Sequence, residues 1–288
     1  MAKIEVNGLE LDYELIGDEN APPLVLTPGG RYPRDTAGVP ELGQLLADGG
    51  YRVLLWDRPG CGASDIAFTA PSESVMNCEA LVGLVQALGL RDIRVVGGSA
   101  GSRISLMAAA RMPENVRKIA IWWISGGPVG LAGLAWFYCG DQIAAASKGG
   151  MEAVVQLPSW AEQIARNPRI RQILLAQDPD AYIDTMQRWG KAFAYSDESP
   201  VPGLGEADFA RLAMPIMVLR SGKSDMAHTR RTSEWVHELL PNSTMVEPPW
   251  GDQEWNYVST FPIDTANRRG RFERWPLLAP MLLDFLKD

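Results

Sequence analysis

Near the amino terminus apolar residues fall on alternate positions, from Lys3 to Val6 and again from Leu9 to Ile16, and the two runs meet at Asn7-Gly8. That dipeptide readily supplies two positive φ angles, so a β-hairpin is predicted. The pattern then changes. Short uninterrupted apolar runs (Pro23 to Thr27, Arg52 to Trp56, Ile93 to Val96, Val116 to Ile124) alternate with amphipathic segments near Val39 to Asp48, Ser72 to Leu88 and Ser99 to Met112. Strands that are apolar on both faces are covered on both faces, so this section predicts a mostly parallel sheet between layers of helices.

From Gly126 to Met214 no convincing strand occurs. Helix formers dominate there, broken at Gly149-Gly150, Pro158, Pro168 and Pro179, and a helical insertion is expected. The earlier pattern resumes with Pro215 to Arg220, a helix near Thr229 to Leu240, a short run at Thr244 to Val246 and a last helix from Pro276 to Leu286. The expected organisation is a discontinuous α/β core, residues 1–125 and 215–288, with a helical cap, residues 126–214, inserted between its parts. Ile119 to Gly140 carries no charge, but Gly126-Gly127-Pro128 divides it into a strand and a helix, and it is not read as a membrane span.

Composition narrows the partners. With 27 basic and 35 acidic residues the net charge is −8, the wrong sign for a nucleic-acid or anionic-membrane footprint. The three cysteines, Cys61, Cys78 and Cys139, are too few and too scattered for a disulfide framework, which fits a cytoplasmic location. The amino-terminal residues lack the apolar core of a secretory signal. Two histidines and no Cys-x-x-Cys or His-Glu-x-x-His leave no readable metal site, and no phosphate-cradling loop is present. No cofactor is expected. A small-molecule substrate is, and homo-oligomerisation stays open.

Chemistry concentrates at Gly97-Gly98-Ser99-Ala100-Gly101, a Gly-x-Ser-x-Gly between a predicted strand and a predicted helix. A serine on such a tight turn presents its hydroxyl above the sheet edge, and the amide of Ala100 faces the oxygen that becomes negative when the serine attacks a carbonyl. Thr27-Pro28-Gly29-Gly30-Arg31 follows the first buried strand, where the Gly30 amide is the second candidate oxyanion donor. Asp57-Arg58-Pro59-Gly60-Cys61-Gly62 follows the next strand and reads as a tight turn.

In this order and context the motifs resemble the α/β-hydrolase family, and the resemblance runs over nearly the whole chain. It implies an α/β-hydrolase fold with an inserted helical cap. The family's usual His-Gly in the first loop is Pro28-Gly29 here. The resemblance also implies a catalytic acid after the strand at Pro215 to Arg220, which assigns Asp225. It further implies a histidine in the loop after the last strand, yet no histidine occurs from Thr244 to Asp288. Asp252 stands near its place, and a carboxylate with an ordinary pKa near 4 is a poor base for a serine hydroxyl.

Only His228 and His237 remain. His237 reads as a solvent-facing helix residue. His228 follows Asp225 by three positions, at the carboxyl edge of the sheet where open α/β proteins bind ligands. It is the candidate base, oriented by Asp225 or by Asp252. Arg31, Trp123, Trp136, Trp189 and Trp250 are candidates to line a largely apolar pocket, with Arg31 and Arg103 the nearest groups for a substrate carboxylate and Arg103 the more structural of the two. The group Arg268, Arg269, Arg271 and Arg274 reads as a solvated face, and Trp255 as a loop aromatic. The expected activity is cofactor-independent hydrolysis of a small, largely apolar ester, lactone or related carbonyl compound. The alternatives are a lyase or carbon–carbon-cleaving enzyme and a catalytically silent ligand-binding homologue.

Overall fold

The computed structural model describes residues 2–223, 225–252 and 272–287. The predicted hairpin forms from β1 (Ala2–Val6) and β2 (Leu9–Ile16), with Asn7 at φ 53° and Gly8 at φ 78° in its turn. β3 (Pro23–Thr27), β4 (Arg52–Trp56), β5 (Ile93–Gly98), β6 (Val116–Trp122), β7 (Ile216–Leu219) and β8 (Ser243–Val246) complete a sheet in the order β1-β2-β4-β3-β5-β6-β7-β8. Pairings from β4 onward are parallel, while β1–β2 and β2–β4 are antiparallel. β6 ends earlier than the apolar run suggests, because Trp123 turns to φ 48°.

Helices cover both faces. α1 (Val39–Asp48) lies on one side, and α2 (Glu73–Ala87) and α3 (Ala100–Arg111) lie on the other. Ser72 caps α2 by accepting the Val75 amide. The insertion between β6 and β7 contains α4 (Pro128–Ala135), a π-type turn at Trp136–Gly140, α5 (Asp141–Val154), α6 (Pro158–Arg166), α7 (Arg169–Leu175), α8 (Pro179–Lys191) and α9 (Glu206–Arg211). The helical φ/ψ pattern breaks at Gly149-Gly150, as the sequence suggests. This cap has its own core around Tyr138, Trp160, Tyr182, Met186 and Trp189, shared with Ile66 and Phe68 of the loop after β4. α10 (Arg230–Leu239) follows β7. The last helix starts later than expected: Trp275–Leu278 forms a 3₁₀ turn before α11 (Ala279–Leu286), and Trp275 packs edge-on against Trp122 at 4.8 Å.

Two features position the loops at the carboxyl edge. The turn from β5 to α3 is sharp: Ser99 adopts φ 57°, ψ −122°, and Gly101 lies so close to the Thr27 carbonyl that a side chain there would collide with backbone. The second feature is Asp57, whose carboxylate accepts the Arg34 amide at 2.7 Å and the Ala63 amide at 2.9 Å, joining the loops after β3 and β4. Arg34 is itself paired with Asp12 at 2.8 Å and Glu14 at 2.6 Å.

Both features are testable through stability. Positive φ at a non-glycine costs about 1–3 kcal/mol, of which the greater freedom of unfolded glycine cancels about 0.4–1 kcal/mol. Ser99→Gly is therefore expected to be more stable than Ser99→Ala by about 1 kcal/mol in urea unfolding; an equal or lower midpoint would show the turn is unstrained. Burial pushes the Asp57 carboxyl up to about 6, against the pull of the Arg34 and Ala63 amides. Its native pKa thus lies above the unfolded value of about 4. The stabilisation from this group is complete below that value and is lost as pH rises through about 6. The stability advantage of wild type over Asp57→Asn should shrink between about pH 4 and pH 7, and parallel stability curves would rule this out.

Candidate active site

The ends of β3, β5, β6 and β7 deliver four loops to one edge of the sheet. Ser99 stands at the centre, directly after β5. His228 Nε2 lies 2.8 Å from Ser99 Oγ, and His228 Nδ1 lies 3.0 Å from Asp225 Oδ2. The other oxygen of Asp225 accepts the amides of Ala227 at 3.0 Å and His228 at 2.8 Å. A carboxylate can only accept, so Nδ1 carries the imidazole proton and Nε2 is left to accept the Ser99 hydroxyl proton. Asp225 and His228 are buried, at 4% and 2% exposure. Trp123 stacks on the imidazole at 5.9 Å and 22°, and the Gly126 amide donates to the Ala227 carbonyl at 3.2 Å, tying the histidine loop to the loop after β6.

On the other side of Ser99 is the loop after β3. A Cβ on Gly29 would stand 2.7 Å from Ser99 Cβ and 3.3 Å from its Oγ, so only glycine lets this backbone approach. Arg58, fully buried, donates to the Gly29 carbonyl at 3.1 Å and to the Gly30 carbonyl. With the carbonyls held away, Gly30 turns at φ 51° and its amide has no acceptor among the described residues. Ala100 is the first residue of α3, where no helical carbonyl can take the amide. Ser125 Oγ lies 3.5 Å from Ser99 Oγ.

The remaining sequence candidates are placed differently. Asp252 carries an ion pair with Arg230 at the start of α10, its side chain is partly exposed, and its backbone packs against Gly222. Of the two acids weighed for orienting His228, Asp225 is the one whose carboxylate bonds Nδ1. His237 is engaged with Ser243 Oγ at 2.7 Å, on the far part of α10. Trp189 is buried in the cap core, with Nε1 donating to the Ala70 carbonyl at 2.9 Å, because it faces inward on the amphipathic α8. Trp136 is 63% exposed and lies over Gly140 at the π-type turn. Trp250 tilts against Trp123 at 5.5 Å, behind the imidazole. Arg31 donates to the Tyr138 carbonyl at 3.1 Å beneath the cap, 4.9 Å from the Trp160 ring. Trp255, Arg268, Arg269 and Arg271 lie outside the described residues.

Two neighbours of the site escaped the sequence reading. Ser125 carries no local motif. Arg58 sits inside the tight turn after β4, and its burial is set by elements distant in the chain, which leave no local signal. No group of three or more His, Cys, Asp or Glu side chains able to hold a metal occurs among the described residues. Among them, too, no helix is long and apolar enough to cross a membrane.

Comparison with known proteins bears on the frame rather than on these side chains. A family model described as "alpha/beta hydrolase fold" matches residues 22–122. A 2-hydroxy-6-oxo-6-phenylhexa-2,4-dienoate hydrolase of Comamonas testosteroni is 37% identical over 86 residues, 30% of this chain and 29% of that protein. A 2-hydroxy-6-oxononadienedioate/2-hydroxy-6-oxononatrienedioate hydrolase of Pseudomonas putida is 31% identical over 122 residues, 42% of each chain. The chain thus aligns with less than half the length of these relatives. Solved structures match over far more of it. A 2-hydroxy-6-oxo-6-phenylhexa-2,4-dienoate hydrolase from Rhodococcus sp. strain RHA1 superposes with TM-score 0.65 at 21% identity, covering 99% of this chain and 98% of that one. An enol-lactonase from Burkholderia xenovorans LB400 gives 0.61 at 20% identity over all of both chains. With its mostly parallel sheet, its helical insertion after β6 and its matched first strands, this chain has the α/β-hydrolase fold.

Proposed function

We propose that this protein is a cofactor-independent hydrolase of a small, largely apolar ester, lactone or related carbonyl compound, with Ser99 as nucleophile and His228 as base. The observation that carries the reading is the unbroken hydrogen-bond chain from Ser99 Oγ through His228 to Asp225. In the first step the Ser99 hydroxyl proton passes to His228 Nε2 while Oγ bonds to the substrate carbonyl carbon. The carbonyl electron pair moves to oxygen, which the amides of Ala100 and Gly30 hold. Asp225 stabilises the imidazolium. Collapse breaks the bond to the leaving group, which takes the proton from Nε2. Water, deprotonated by the same nitrogen, then releases the acyl group from Ser99 and restores the serine.

The names of the relatives favour a second chemistry at the same residues: hydrolysis of a carbon–carbon bond next to a ketone, in which the leaving group is a carbon acid rather than an alcohol. Screening esters and lactones alongside 2-hydroxy-6-oxo-dienoate compounds distinguishes the two. A cytoplasmic location belongs to the same proposal, supported by three buried free cysteines.

A fluorophosphonate probe followed by intact-mass measurement is the first test. Wild type should gain one adduct that Ser99→Ala lacks. His228→Ala and Asp225→Asn should each lower the labelling rate and turnover by about 10³-fold or more, as losses within such a unit do. Asp252→Asn should keep both within a few-fold. Equal losses at Asp225 and Asp252 would reassign the orienting acid, and an unlabelled wild type would favour a ligand-binding homologue.

A further inference from the structure

Beneath the cap, beside Ser99, lies a concentration of buried positive charge that the proposed reaction does not use. Arg58 and Arg103 are essentially inaccessible, at 1% and 0% exposure, and Arg31 joins them from the loop after β3. Among the described residues one carboxylate bonds to them: Glu73, at the start of α2, accepts from Arg103 at 3.3 Å and from Asn77 at 2.5 Å. Asp57, next to Arg58 in the chain, is turned to the amides of Arg34 and Ala63. Burial keeps the Cys61 thiol neutral, pushed up to about 11, and the Tyr138 phenol neutral, pushed up to about 12.

The donors are correspondingly unfilled. Nε and Nη1 of Arg58, Nε and Nη1 of Arg103 and Nη1 of Arg31 are buried with no acceptor among the described residues, and the buried hydroxyl of Tyr138 faces the Arg58 guanidinium. Tyr138 is within electrostatic reach of all three guanidinium groups. Phe193 stacks on it at 5.5 Å, with Arg103 5.1 Å over the same Phe193 ring. An uncompensated buried guanidinium is expensive, and a planar carboxylate accepting from guanidinium forks is the group that compensates it best. Arg103 is four positions beyond Ser99 and therefore about one helical turn, roughly 6 Å, away, while Arg58 holds the carbonyls of the loop that faces Ser99.

We infer that Arg58, Arg103, Arg31 and Tyr138 form a carboxylate-binding subsite, and that the substrate is an acid whose reactive carbonyl lies a short chain away from its carboxylate. This rests on the Ser99 reading for the reaction, although carboxylate binding can be measured without it.

Two assays separate the claims. The first compares turnover of the monophenyl ester of a short dicarboxylic acid with that of the phenyl ester of a monoacid of similar length. The second measures, by calorimetry on Ser99→Ala, binding of 4-phenylbutyrate against its amide. The acid should win by at least about tenfold in kcat/KM, a difference of about 1.4 kcal/mol, and the amide should not bind. Arg103→Gln should reduce the acid-over-neutral ratio towards one. Tyr138→Phe, which keeps the ring packing and deletes one hydroxyl, should reduce the ratio several-fold even if Arg103→Gln fails to fold. Turnover without preference, together with no carboxylate binding, would overturn the subsite and leave the hydrolase standing. Arg103-dependent binding in a protein that neither labels nor turns over would do the reverse. Silence in both assays would overturn both.

Discussion

The close approach of α3 to the end of β3 is the constraint on which the site depends. Gly101 meets the Thr27 carbonyl, Gly97 pairs with Thr27 across the sheet, and the chain has only Ser99 with which to reverse from strand to helix. The serine is therefore held at positive φ, and its hydroxyl is raised above the sheet edge where neighbouring strands end. A relaxed backbone here would move the hydroxyl away from both His228 and the amides of Gly30 and Ala100. Strain at this residue is thus a requirement of the geometry, maintained by the packing of two core layers against the sheet.

Asp225 and His228 come from one short loop. Asp225 and His228 are three residues apart, and the carboxylate closes the loop on itself by accepting two of its amides while the remaining oxygen holds the ring. Trp123, itself at positive φ, forms the wall on which the imidazole lies, with Trp250 behind it. Among the described residues, the hydrogen-bond chain from Asp225 to Ser99 uses no side chain of the segment after β8. Asp252, which occupies that segment, serves to tie it to α10 through Arg230, an exposed pairing of the kind worth about 1 kcal/mol or less.

The cap does more than cover the edge. Its core closes over Arg58 and brings Tyr138 and Phe193 against Arg103, converting arginines that would be hydrated on an open sheet into buried charges. Arg58 also braces the Gly29 and Gly30 carbonyls. The same side chain thus links the shape of the Gly29-Gly30 loop to the electrostatics under the cap.

Much of the fold was legible along the chain because its signals are local. Asn7-Gly8 specifies a hairpin, continuous apolar runs specify two-sided strands, and Gly-Gly-Ser-Ala-Gly between strand and helix specifies the turn at Ser99. The spacing of Asp225 and His228 was legible too, since three residues of loop suffice to bring their side chains together. What only tertiary structure decided is every relation between loops far apart in sequence. It set which acid meets the histidine, because Asp225 and Asp252 differ by packing and not by residue type. It placed Trp189 in the cap core and Trp136 in solvent, because the facing of a helix depends on what it packs against. And it buried Arg58 and Arg103, because whether a guanidinium is hydrated or desolvated depends on the elements that close over it rather than on its own neighbours in the chain.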